Sequence, residues 1–210
     1  MLLGLAIGLL LTVSSVFTSE PLYDGGKIVG GFLIDISEIP YQISLRLSGS
    51  HICGGSILAA RVVLTAAHCT KNFETDKLSV KAGSNSSSSA GYNIFAVIQK
   101  EEHPKFDATT MDYDFSVLTL STRIKYNHQM QPIALPRTMY KRYGDDEIVL
   151  VSGWGALEET EQSTPEYLSA ANVPIINTPK CQNLYPNSKI TERMICAGYV
   201  EGGIDSCQGE

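Results

Sequence analysis

Apolar and polar residues alternate in short bursts along most of this chain, and sustained helical spacing is scarce. Residues 41–47 (YQISLRL) switch with a period of two, the pattern of a strand with one buried face. Further strand-like bursts follow at 62–65 (VVLT), 77–81 (KLSVK), 94–98 (IFAVI) and 115–120 (FSVLTL). Gly, Pro, Ser and Asn clusters divide them, and residues 84–91 read as a polar loop. After Pro136 the pattern restarts at 147–152 (EIVLVS), passes Gly153-Trp154-Gly155, and resumes at 168–176 (LSAANVPII). Residues 178–184 predict one short helical turn, and 190–198 lead into a final stretch beginning Gly202-Gly203. Many short strands with frequent turns predict an all-β sandwich or barrel.

The first residues follow a different rule. Residues 2–13 are almost wholly apolar, and small residues follow at Ser14, Ser15, Thr18 and Ser19. That run is too short to cross a bilayer and matches the core of an export signal ending somewhere in 15–19. No second apolar stretch approaches membrane length, so no membrane contact is expected after the signal is removed. Export implies an oxidising compartment, where cysteines pair. The five here, Cys53, Cys69, Cys181, Cys196 and Cys207, cannot all pair within the sequence. A net charge of −6 argues against the basic surface that nucleic-acid binding requires. His51, His68, His103 and His128 are dispersed without zinc-type spacing, so no metal site is expected.

Several short motifs carry chemistry. Residues 65–69 (TAAHC) place His68 beside Cys69, with Cys53-Gly54-Gly55 upstream. A bridge closing the Cys53–Cys69 loop would stabilise the fold by about 3 kcal/mol and staple the turn that carries His68. Residues 112–115 (DYDF) lead into the apolar 117–120. A carboxylate entering a buried strand needs a strong partner, and a histidine is a natural one. Cys181 and Cys196 can form a second bridge. Residues 205–209 (DSCQG) put a carboxylate two positions before Cys207, and residues 27–31 (KIVGG) read alone as a β-forming pair before a turn. Asn85-Ser86-Ser87 is a glycosylation sequon, which makes Asn85 a candidate acceptor.

Taken in order, these residues resemble the chymotrypsin/trypsin family of serine endopeptidases, and the resemblance runs from Ile28 to Gly209. It implies two perpendicular antiparallel β-barrels with the active site between them. Residues 1–19 would be the signal peptide, 20–27 an activation propeptide and 28–210 the peptidase domain. Within that domain, 28–136 would form the first barrel and 137–210 an incomplete second one. Lys27–Ile28 resembles the activation bond, whose cleavage frees an Ile28 ammonium to turn inward and pair with an acidic residue beside the nucleophile. His68 is implied as the general base and Asp114 as its orienting carboxylate. Asp114 is preferred to Asp112 because the family's Asp stands directly before the apolar strand residues; Asp112 reads as a loop carboxylate. Asp205, with Ser206 beside it, would line a pocket for a substrate Lys or Arg. Gly209 would supply one oxyanion-hole N–H. The family pattern pairs Cys53 with Cys69 and Cys181 with Cys196, leaving Cys207 unpaired.

The family continues DSCQG with Asp-Ser-Gly-Gly-Pro, whereas here Glu210 follows Gly209 and the sequence stops. The nucleophile, the rest of the pocket, the usual partner of Cys207, the last strands of the second barrel and the C-terminal helix are therefore expected to be missing. The chain as written is expected to be inactive, with an incomplete gene model as the preferred origin and a shortened paralogue as the rival. No Asp or Glu lies between Leu78 and Gln99, so no calcium is expected in the loop where some trypsins hold it, and no cofactor is implied. The expected function is that of a secreted, monomeric trypsin-like zymogen hydrolysing proteins or peptides after Lys or Arg. Its implied partners are an activating protease and inhibitors of serine proteases. The alternative from another class is a non-catalytic homologue that binds partners without hydrolysis.

Overall fold

The computed structural model describes residues 31–88, 93–136, 144–155 and 165–201. After a two-residue strand, β1 (Phe32–Leu33), six strands follow in which alternating residues face a common interior. They are β2 (Gln42–Leu47), β3 (Ser50–Ala59), β4 (Val62–Thr65), β5 (Leu78–Ala82), β6 (Ile94–Glu102) and β7 (Ser116–Leu120). They close into an antiparallel barrel in the order β2-β3-β4-β7-β6-β5, which leaves no free sheet edge. Ile43, Leu45, Ile57, Val63, Val80, Leu118 and Leu120 fill it, all fully buried. Register shifts at Leu45/Arg46, Ile57/Ala59 and Val97/Gln99 add the local bends that closure demands. Gly55 sits where β3 meets β4: a Cβ there would lie 2.5 Å from the Leu64 carbonyl oxygen.

The second unit is a smaller sheet. β8 (Ile148–Gly153) and β9 (Ser169–Ile176) pair along six residues, and β10 (Cys196–Ala197) adds to the far end of β9. β1 completes it, pairing Phe32 and Leu33 with Ala170 and Ser169. The segment ahead of the first barrel therefore supplies an edge to the second sheet. Between β9 and β10, helix α1 (Thr178–Leu184) starts at Asn177, whose side chain accepts from the Lys180 N–H, with Pro179 in the first turn. The Cys181–Cys196 disulfide ties α1 to β10.

Two sequence expectations change. β2 was read as half-buried, yet Gln42 to Arg46 are all buried. Its second face is covered by polar contacts: Ser152 donates to Gln42 Oε1 at 3.0 Å, and the Ser44 hydroxyl lies 2.7 Å from His51 Nδ1. β6 also runs four residues past the apolar burst, because Gln99 to Glu102 keep pairing with β7 after the register shift. Chain pairing overrides the pattern there.

A polar seam joins the two units. Within the polar loop over 84–91, residues 84–88 dock on 165–168: Ser87 N–H donates to Glu166 O at 2.8 Å and Ser87 Oγ to Pro165 O at 3.0 Å. Asn85 is the centre of the seam. Its carbonyl accepts from Trp154 Nε1 at 2.9 Å and from Leu168 N at 2.8 Å. Its side-chain oxygen accepts from Ile36 N at 2.6 Å, and its amide nitrogen donates to Asp35 Oδ2 at 2.9 Å. Besides being the acceptor position of the sequon, Asn85 is therefore a structural junction, bonded through its carbonyl and both atoms of its side-chain amide. Trp154 is nearly fully buried in a small cluster with Ile34, Ile36, Ile39, Leu168 and Ala170.

Asp35 is held down at about 2, first by the hydrogen bond from the Ser37 hydroxyl and then by that from Asn85. A carboxyl lowered in the folded state contributes stability that is complete above its unfolded value of about 4. That contribution is lost as pH falls through about 2. Trp154, the sole tryptophan, reports on the seam. Urea unfolding followed by its fluorescence should show the wild type weakening more steeply than Asp35→Asn between about pH 5 and about pH 2. Parallel pH profiles would remove Asp35 from the seam's energetics.

Candidate active site

His68 lies in a tight turn just after β4. Thr65, the last residue of β4, is buried and donates its hydroxyl to Gly54 O at 2.8 Å, which fixes the exit of the strand. The turn closes with Thr70 N–H and Lys71 N–H both donating to Ala67 O, at 3.1 and 2.9 Å. Cys69 is bonded to Cys53 of β3, with Cα atoms 6.3 Å apart, so the next residue along from His68 is covalently anchored to the barrel. From behind, Lys100 donates to Thr70 O at 2.8 Å and to Glu102 Oε1 at 2.9 Å. The buried Thr70 hydroxyl donates to the same carboxylate at 2.9 Å. Burial alone would push the Glu102 carboxyl up, but these hydrogen bonds and the Lys100 charge bring it below its ordinary value. The turn is held on three sides.

Asp114 arrives from the other side of the sequence, two residues before β7. Its two oxygens grip one residue: Oδ1 accepts the His68 backbone N–H at 2.8 Å and Oδ2 lies 2.6 Å from His68 Nδ1. The carboxylate is acceptor-only, so Nδ1 carries the proton and Nε2 keeps a lone pair. Nε2 lies 3.2 Å from Cys69 Sγ, a disulfide sulfur with no proton to offer. The His68 side chain is 46% exposed and that of Asp114 19%, so the ring stays accessible while its partner is largely screened from water. Such an arrangement can accept a proton at Nε2 and stabilise the resulting imidazolium. Cys53, His68 and Cys69 also place three metal-type ligands close together, but both sulfurs are in the disulfide and offer no thiolate.

Asp112 and Asp114 turn to opposite units. Asp112 takes a two-pronged contact from Arg193, Nε to Oδ1 at 2.9 Å and Nη2 to Oδ2 at 2.6 Å. Thr191 Oγ1 adds a bond to Oδ1 at 3.0 Å. The Arg193 hydrogen bonds, before all else, hold the Asp112 carboxyl at about 2. Tyr113, between the two acids, adopts φ +56°, a left-handed backbone that costs a bulky residue on the order of 1–3 kcal/mol. That reversal lets successive carboxylates point apart. Sequence reading missed Arg193, Thr191, Lys100 and Glu102 as supports of the site. Each lies at least thirty positions from the residue it supports, apart from the pairing of Lys100 with Glu102 itself. No local pattern marks them.

Lys27, Ile28, Asp205, Ser206, Cys207 and Gly209 lie outside the described residues. Among the described residues no helix is long and apolar enough to cross a membrane. A family model described as Trypsin matches residues 28–210. The chain is 39% identical over 191 residues to "Trypsin 5G1" of Aedes aegypti, covering 90% of this chain and 70% of that protein. It is 38% identical to "Trypsin II-P29" of Gallus gallus, across 89% of this chain and 73% of the relative. "Serine protease 1" of Canis lupus familiaris is also 38% identical, across 90% and 74% respectively. A six-stranded barrel with a second sheet beside it, a histidine gripped by one carboxylate, and a match over the whole span from Ile28 onward lead to one conclusion: the chain belongs to the trypsin family of serine proteases.

Proposed function

We propose that this chain is the zymogen form of a secreted trypsin-like endopeptidase that hydrolyses proteins after Lys or Arg. The observation that carries this reading is the double grip of Asp114 on His68, which leaves Nε2 as the ring's proton acceptor. In the family's chemistry a serine hydroxyl attacks the scissile carbonyl while the base takes its proton at Nε2. Asp114 keeps the tautomer fixed and stabilises the charge that develops on the ring. The same proton then passes to the leaving amine, and a water repeats the sequence to release the acyl group.

The organisation proposed is a signal over 1–19, a propeptide over 20–27 and a peptidase domain over 28–210, split at 136/137. Cleavage after Lys27 by an activating protease would free Ile28. Asp205 and Ser206 would line the substrate pocket, with Asp205 pairing with the cationic side chain in a desolvated slot. Gly209 would donate one N–H to the oxyanion, and Cys207 would stay unpaired within these 210 residues. A monomer open to inhibitors of serine proteases completes the reading.

Pocket selectivity is tested in a protein extended beyond Gly209 by the family's Asp-Ser-Gly-Gly-Pro and a complete second barrel. Arginyl and lysyl peptide esters should be cleaved far faster than aromatic ones, and Asp205→Ser should abolish that preference. Equal rates on both substrate types before mutation would refute the specificity. By contrast, a polypeptide of these 210 residues alone, cut after Lys27, is expected to remain silent towards a fluorophosphonate probe. Gly209 is followed by Glu210, and the Ser152 hydroxyl is engaged with Gln42 Oε1. Stoichiometric labelling that disappears in His68→Ala would show that another serine serves as nucleophile.

A further inference from the structure

Tyr113 is the strained link between the two acids, and its half-buried ring is contacted by three side chains. The Arg193 guanidinium carbon lies 4.4 Å from the ring centroid. The His103 imidazole stacks on the ring almost parallel, with centroids 4.5 Å apart and planes 3° from each other. Lys105 Nζ approaches to 5.6 Å. Backbone bonds close the segment around the same point. Asp107 N–H donates to Asp112 O at 3.0 Å, His103 N–H to Phe115 O at 3.0 Å, and Phe115 N–H to Tyr113 O at 2.9 Å. The last of these closes a three-residue turn centred on Asp114.

One side chain engages this segment from the second unit by two routes. Arg193 lies just ahead of β10, in the segment tied down by Cys181–Cys196. It holds Asp112 through both carboxylate oxygens and covers one face of the Tyr113 ring. A guanidinium suits this double task, because its planar fork meets a carboxylate edge-on while its face stacks on an aromatic ring. Without it, Tyr113 would lose the anchor on the preceding Asp112 and one contact of its own ring, both of which favour the left-handed state. Relaxation of φ towards the usual negative range would swing the following carboxylate away from His68.

We propose that Arg193 is a positioning residue for the base: by clamping Asp112 and covering Tyr113 it keeps Tyr113 left-handed and so keeps Asp114 on His68. The docking of the second unit is thereby coupled to the orientation of an imidazole in the first. The catalytic meaning of this coupling rests on His68 being the general base, but the coupling itself does not.

The test follows the His68 Nδ1 proton by NMR in the full chain labelled with ¹⁵N-histidine. Arg193→Ala should raise the exchange of that proton with water about tenfold, the factor expected when a strained backbone is released. Arg193→Lys keeps the charge but not the fork or the planar face, and should fall between. Combining Arg193→Ala with Tyr113→Asn should restore most of the protection, since Asn enters the left-handed region more readily. Unchanged exchange in Arg193→Ala, or a loss that Tyr113→Asn does not restore, overturns the proposal. Should Arg193→Ala fail to fold, Arg193→Lys with and without Tyr113→Asn makes the same comparison. Since no hydrolysis is measured, an overturned clamp leaves His68 standing as the base. Conversely, unimpaired hydrolysis by His68→Ala in the extended protein would remove the base and leave the clamp.

Discussion

Everything chemical in this molecule depends on one carboxylate holding two N–H groups of one residue. Asp114 fixes the His68 backbone through one oxygen and the ring through the other, so the imidazole has neither rotational nor tautomeric freedom. A single ring contact would leave the turn free to shift; a single backbone contact would leave the ring free to spin. The cost of screening Asp114 from water is offset because its charge always has donors to meet. The Cys53–Cys69 bridge and the Lys100–Glu102–Thr70 network act on the other side of the same turn. His68 and Asp114 are thus each held by their own part of the barrel and meet where β4 ends and β7 begins.

The two units are joined by polar contacts as well as by the small apolar cluster around Trp154. Asn85 satisfies backbone groups of β9's approach and the Trp154 indole, while Asp112 and Arg193 close the opposite flank. Apolar burial would stabilise such a seam as well, but it is tolerant of sliding. Hydrogen bonds to a particular carbonyl or carboxylate are not, because a shift of an ångström leaves a buried polar group unmet. Polar junctions therefore set the relative position of the units.

How much of this is legible in the sequence varies with the range of the interaction. β7 is readable because local alternation coincides with its final burial, β4 and β9 because they are short runs rich in apolar residues, and α1 because Asn177 and Pro179 mark its start. β3 is not readable: its Gly, His and Cys residues follow no period, and its role is set by pairing with β2 and β4. β2 looks half-buried because sequence cannot reveal that a second unit covers its polar face. The choice of Asp114 over Asp112 rests on family resemblance, since either acid precedes the same apolar strand. What separates them physically is the reversal at Tyr113 and the presence of Arg193, eighty-one positions from Asp112. The Asn85 sequon is a clear local motif, but the hydrogen bonds of its side chain to Ile36 and Asp35 are long-range and leave no mark in the sequence.

The tautomer of neutral His68 is the most direct test of the central claim, and ¹⁵N chemical shifts of its ring measure it. With the carboxylate on Nδ1, that nitrogen should be the protonated, pyrrole-like one and Nε2 the unprotonated one. Asp114→Asn should lose this bias, whereas Asp112→Asn should weaken it less. A ring protonated at Nε2 in the wild type, or one indifferent to Asp114→Asn, would contradict the account.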